Sequence, residues 1–289
     1  MELSRFFSST VLTDLVKTGK SEIASRLFEN LYLSTILDEK ISLRNFYDSV
    51  FIALNSTYRN EYVYKNALAE KILLGKHNLN TASMLTELRV GNRKADAVIL
   101  NGTSYAYEIK SVLDGYSRLE NQLDAYSKVF DFISVVTDEE KFQQVKSRLS
   151  DNIGIMVLAR SNYQFRQRCC YRKPESNKNR TSSVAIFDVL NQSEYLSVIE
   201  NEFGADLSDV PNTQIYRIAR HYFAQMRPET AHDNMVDQLK RRRLKLEANN
   251  LIASVPLSLK AAAISLRLKK SEQSAFLKLL DERADKIFS

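Results

Sequence analysis

Between residues 83 and 112 the hydrophobic period falls to two, and helical spacing brackets this stretch on both sides. Residues 83–90 (SMLTELRV), 95–100 (ADAVIL) and 104–112 (SYAYEIKSV) alternate as strands do, and Asn101-Gly102 supplies a turn between the last two. The helix before them, residues 59–75, carries Leu68 and Ile72 on one face, with Glu61 extending that stripe near its start and Gly75 as its C-cap. The helix after them, residues 116–130, has Leu119, Leu123, Tyr126 and Phe130 as its core stripe. Residues 132–137 (FISVVT) read as a buried strand, 138–149 as a polar helix and 154–160 as a further strand. A hairpin followed by crossover units predicts an α/β fold, a mixed central sheet flanked by helices.

Outside this core the pattern is helical. Residues 1–58 form an N-terminal helical region, with Leu12, Leu15 and Val16, then Ala24, Leu27 and Leu31, at three- and four-residue steps. The stretch KPESNKNRTSS after Arg172, with Pro174, is the best linker. It leads into helices at about 183–203, 212–226, 229–249, 257–270 and 272–287. Three units follow: 1–58, a core at 59–172 and a helical C-terminal domain at 173–289.

A hydrophobic share of 44% suffices for a real core, and only 7 Gly and 4 Pro leave room for many helices. No apolar run is long enough to cross a membrane and the start lacks a signal-peptide core, so the expected location is cytoplasmic. The two cysteines, Cys169 and Cys170, are adjacent and are expected as free thiols. With His77, His221 and His232 scattered, no zinc spacing exists. From Val236 onward there are 12 Lys/Arg against 6 Asp/Glu, which accounts for the whole net charge of +6. Lys240-Arg241-Arg242-Arg243 leads this excess; it suits a polyanionic partner or a solvated helix face.

Chemistry concentrates between Arg93 and Lys110. Glu108 and Lys110, two apart, share one strand face, while Ile109 points to the other with Tyr105 and Tyr107. Asp96 lies on the neighbouring strand. Two carboxylates and one ammonium on adjacent strands can hold Mg²⁺, a hard ion that needs only one or two protein carboxylates. The hairpin register decides whether they meet. A two-residue turn would pair Leu100 with Thr103 and set Asp96 opposite Tyr107. A shared site therefore predicts a three-residue loop or a bulge. Glu87, on the preceding strand, is a further acidic candidate or a surface charge, and Asp114 reads as a helix N-cap.

The helix with Glu61, the strand with Asp96, the Glu108-x-Lys110 strand and the following helix together resemble the PD-(D/E)XK nuclease superfamily. The resemblance covers about residues 59–160, and Gln122-x-x-x-Tyr126 is similar to the helix motif of RecB-like nucleases. The segment is most similar to an uncharacterised bacterial subfamily sharing the EYxYKN helix and the EIKS strand; Ala95 stands where the motif usually has Pro. The resemblance implies a restriction-endonuclease-like αβββαβ core. It implies a Mg²⁺-dependent deoxyribonuclease, an endonuclease by expectation, with Mn²⁺ as substitute. A catalytically silent nucleic-acid-binding or sensing module of the same fold is the alternative. It implies Asp96 as central metal ligand, with Glu108, the Ile109 carbonyl and Glu61 completing the shell. Lys110 would orient the attacking water, and Gln122 and Tyr126 would face the site. Arg118 would hold a phosphate, and Arg241, Arg242 and Arg243 would contact the DNA backbone. A homodimer or protein partner through the C-terminal helices, and a place in a defence system, are further expectations of this reading.

Overall fold

Six strands form a mixed sheet in simple sequential order: β1 (Ser83–Val90), β2 (Arg93–Leu100), β3 (Ser104–Lys110), β4 (Phe132–Asp138), β5 (Gly154–Leu158) and the short β6 (Tyr171–Arg172). The structure, a computed structural model, describes residues 2–33, 40–77, 79, 81–112, 114–167, 171–244 and 249–288, without the side chains of 243, 244 and 249. The first three strands are antiparallel, β3, β4 and β5 are parallel, and β6 returns antiparallel. Parallel neighbours need crossovers, and helical segments between β3 and β4 and between β4 and β5 supply them.

The β2–β3 register is the one a shared site requires. Leu100 pairs with Ser104 and Ala97 with Tyr107, so the loop is Asn101-Gly102-Thr103. Gly102 takes φ 69°, and the Asn101 N–H donates to the Thr103 carbonyl at 3.0 Å. Asp96 is thereby brought level with Glu108.

Strand alternation divides the core between two faces. Ala97, Ile99, Tyr107, Ile109, Val136 and Met156 belong to one cluster; Ala95, Val98, Leu100, Ala106, Val135 and Ile155 belong to the other. The first face is covered by α1 (Ser9–Thr18), α2 (Glu22–Asn30), α3 (Leu43–Thr57) and α4 (Glu61–Ala67). The second is covered by α5 (Leu119–Ser127), α6 (Phe142–Lys146) and α7 to α10, at Ser183–Phe187, Gln192–Phe203, Asn212–Gln225 and Pro228–Leu244.

The last elements return to the first face: α11 (Asn249–Ser254), α12 (Lys260–Ser265), α13 (Lys270–Leu279) and α14 (Ala284–Phe288). The two halves of 173–289 thus pack on opposite sides of the sheet. The Leu43 N–H donates to the Glu282 carbonyl at 2.8 Å and the Ala284 N–H to the Ile41 carbonyl at 2.9 Å. Phe288, fully buried, lies with its ring centroid 5.0, 5.3 and 5.8 Å from Phe46, Phe28 and Phe6. Each such ring is worth about 1.5–3 kcal/mol of burial.

Arg59, buried between α3 and α4, donates to the Leu158 and Ala159 carbonyls at 3.0 and 2.8 Å and pairs with buried Asp138 at 3.6 Å. That contact ties the start of α4 to the ends of β4 and β5.

Local details differ from the sequence expectation. The helix after α4 continues as a π-helical stretch, Leu68–Leu74; Gly75 is its C-cap as expected, in right-handed backbone with φ −82°. Asp114 accepts the Ser111 N–H at 2.7 Å and closes the turn after β3; Arg118 occupies the N-cap of α5. Cys169 and Cys170 lie outside the described residues. Among those residues no helix is long and apolar enough to cross a membrane.

Candidate metal centre

Asp96 and Glu108 meet where β2 and β3 part. The ladder stops at Ala97–Tyr107, and one residue on, the Asp96 side chain replaces the backbone partner: its Oδ2 accepts the Ile109 N–H at 2.6 Å. Ile109 thus reaches the site through its N–H. Glu108 is almost fully buried at 1% exposure, and its carboxylate is held from two sides. Lys110 Nζ donates to Oε1 at 2.8 Å, and the Tyr126 hydroxyl lies 2.8 Å from Oε2 and 2.5 Å from the Lys94 carbonyl. Lys110 also donates to Gln122 Oε1 at 3.1 Å. Gln122 and Tyr126, one turn apart on α5, therefore face the centre together, as their spacing implies.

A second group approaches from α4 and β1. Glu61, Glu87 and Asp96 each place a carboxylate oxygen within 4.8 Å of the other two. Lys65, one turn after Glu61, bridges Glu61 and Glu87. Glu87 has φ 54°, left-handed backbone in the middle of a strand, and neither it nor the facing Asp96 joins the otherwise regular β1–β2 pairing. A non-glycine residue there is strained by about 1–2 kcal/mol. Glu87 and Lys65 are the members that sequence reasoning left open or missed. The Glu61/Lys65 spacing is a signal in the sequence; the φ of Glu87 is not.

Burial and the charges of Glu108 and Glu61 hold the Asp96 carboxyl well above the usual carboxylate range, against the opposing Ile109 N–H and Lys65. Burial would lower the Lys65 ammonium, but Glu61 and Glu87 outweigh it and raise it. Four carboxylates stand against two ammonium groups, a deficit of two positive charges. All the acidic donors are hard oxygens. Such a set fits a divalent cation of the Mg²⁺ or Mn²⁺ type. A depression of about 340 Å³, lined in part by Lys65 and Glu87, gives access beside it.

The basic residues do not join this centre as a set. Arg118 is exposed at the start of α5, and Arg241 is exposed on α10. Arg242 is engaged by Glu194, with Nε 2.7 Å from its Oε1. The Arg243 side chain lies outside the described residues.

Comparisons place the chain among known proteins. The family model described as "Bacteriophage P4 protein cII" matches residues 54–254. Protein cII of Enterobacteria phage P4 is 32% identical over 96 residues, 32% of this chain and 36% of the relative, so the chain spans little more than a third of that relative's length. No solved structure matches. These findings overturn the assignment to the PD-(D/E)XK superfamily and its restriction-endonuclease and RecB-like branches. With it go the DNA-cutting endonuclease, the silent nucleic-acid-binding or sensing alternative, and the hydrolase and defence roles. The physical reason is that two acids and a lysine on adjacent strands specify ion and proton chemistry. They do not specify ancestry or substrate.

Proposed function

We propose, for a chain that belongs to the bacteriophage P4 protein cII family, that Asp96, Glu61, Glu87 and Glu108 form a divalent-cation centre taking Mg²⁺, with Mn²⁺ as substitute. The observation that carries the reading is geometric: Glu61, Glu87 and Asp96 bring carboxylate oxygens within 4.8 Å of one another, and burial with the charges of Glu108 and Glu61 raises the Asp96 carboxyl. A divalent ion would supply positive charge there and replace the proton that Asp96 otherwise keeps. Bound there, the ion would act as a Lewis acid on a ligand oxygen. The αβββαβ order of residues 61–138 supports reading this unit as the body of the centre, because it brings a helix, two hairpins and a second helix to one point.

Lys110 supports a catalytic reading over a purely structural ion. An ammonium kept within the acidic shell weakens ion binding, so a site that only held the fold together would do better without it. Glu108 and Gln122 hold Lys110 in place, and Tyr126 fixes Glu108. We therefore read the protein as a cation-dependent enzyme acting on an oxygen-bearing anion, in a cytoplasmic setting.

A second reading rests on Lys65. Its ammonium already bridges Glu61 and Glu87, and such a cluster can be a salt-bridge network with no ion. Calorimetric titration of the full chain with MgCl₂ and MnCl₂ separates the two. The cation reading expects one saturable site that Asp96→Asn abolishes. Absence of saturable binding of either ion, or unchanged binding by Asp96→Asn, would favour the network.

A further inference from the structure

The sheet face under α4 carries a second concavity, past the C-terminal end of the π-helical stretch. Tyr105 and Tyr107 of β3, Phe132 of β4 and Tyr171 of β6 line a depression of about 290 Å³. Its neighbour, of about 430 Å³, shares Tyr171 and Lys76 with it. These volumes fall near the small-molecule range of roughly 300–1,000 Å³. Glu61 stands at the start of the helix that ends at the pocket, so the acidic centre lies roughly 20 Å away along its axis.

The lining is built for a flat ring. Tyr105 and Phe132 stack with centroids 4.9 Å apart and planes 12° from parallel, and Tyr171 is 45% exposed although it lines the cavity. Tyr107 is only 6% exposed, and its hydroxyl has no hydrogen-bond partner among the described residues. Burial, with Tyr105 and Tyr171 nearby, raises that phenol, so it remains a neutral donor. The hydroxyl oxygen is not itself sealed from the cavity, so its O–H is free to donate to a ligand acceptor placed there.

The rim is cationic. Lys76, at the end of the helix, and Lys173, after β6, are exposed, and neither meets an acid among the described residues. Two ammonium groups from different elements suit a doubly charged phosphate better than a single carboxylate. We propose that this pocket binds a nucleoside monophosphate, with its base on the aromatic wall, its phosphate between Lys76 and Lys173, and the Tyr107 hydroxyl donating to an oxygen or nitrogen of the ligand. The inference is independent of the cation centre.

The test is calorimetric titration of the full chain in EDTA, which removes any contribution of divalent ions. The probes are AMP, CMP, adenosine, inorganic phosphate and benzoate. Both nucleotides should saturate one site, with adenosine, phosphate and benzoate weaker by about tenfold or more. The Lys76→Ala/Lys173→Ala double variant should lose about tenfold for AMP, and Tyr107→Phe, which keeps the ring packing, about three- to tenfold. Asp96→Asn should bind AMP like the wild type. The proposal is overturned if neither nucleotide saturates the protein, if benzoate binds as tightly as AMP, or if the double variant binds AMP unchanged.

Discussion

Replacing Asp96 by Asn removes the acid whose ionisation burial, Glu108 and Glu61 most oppose, while keeping its shape. Asp96→Asn should melt in EDTA at the wild-type temperature or a few degrees above it, a gain of up to about 1 kcal/mol. The upward shift that Mg²⁺ gives the wild type should vanish, and a thermal melt with and without the ion reads both outcomes. His232 offers a pH test away from that centre. Its ring is fully buried, and Ser104 Oγ, which accepts the Asp131 N–H at 3.0 Å, lies 2.7 Å from Nε2. Burial lowers the imidazole pKa, outweighing the opposing pull of Asp233 and Asp131. The unfolded chain then takes up this proton more readily than the folded one. Stability from this group is complete above the ordinary value of 6.5 and is lost as pH falls through the lowered folded value. Urea unfolding between pH 5 and 8 should show that slope, and His232→Gln should flatten it.

At the scale of the element, β1 contains its own diagnostic. Glu87 holds left-handed backbone, so glycine should be tolerated there better than alanine, the reverse of the usual order in a strand. Relief of about 1–2 kcal/mol of strain opposes about 0.5–1 kcal/mol of glycine entropy and an exposed ion pair worth about 0–1 kcal/mol. Glu87→Gly should therefore lie within about 1 kcal/mol of the wild type, and Glu87→Ala below it; denaturant midpoints rank the three. The strands were legible because period two over Ser83–Val90 and Ser104–Lys110 is a local property of the chain. The three-residue loop was legible because strand faces are binary: only one register could bring Asp96 level with Glu108. The two-residue β6 was not, since a strand so short has no period. The left-handed Glu87 was not either, because nothing in a run of SMLTELRV marks one residue as inverted. Gln122 and Tyr126 were picked out by the resemblance, and their four-residue spacing put them on one helix face, whereas the bridging role of Lys65 depends on how α4 lies against β1. The family was misjudged because the site motif is shorter than the ancestry it was taken to report.

At the scale of the molecule, stability depends on contacts between distant parts of the chain. Local periodicity predicts the helices of 1–58 and of the C-terminal region, but not that Leu43 bonds Glu282 or that Phe288 closes a cluster with Phe6, Phe28 and Phe46. Phe288→Ala should cost about 3–5 kcal/mol by opening a cavity between Phe6, Phe28 and Phe46 that their packing cannot fill. Chemical denaturation should show the loss as a lower midpoint with an unchanged slope. These long-range pairings also set an order of events in the cell. While a ribosome is still adding residues 249–288, Phe6, Phe28 and Phe46 lack the ring of Phe288 that packs against them. Chaperone occupancy of the nascent chain should persist until those last residues emerge, and premature stops within them should yield protein that is degraded instead of accumulating.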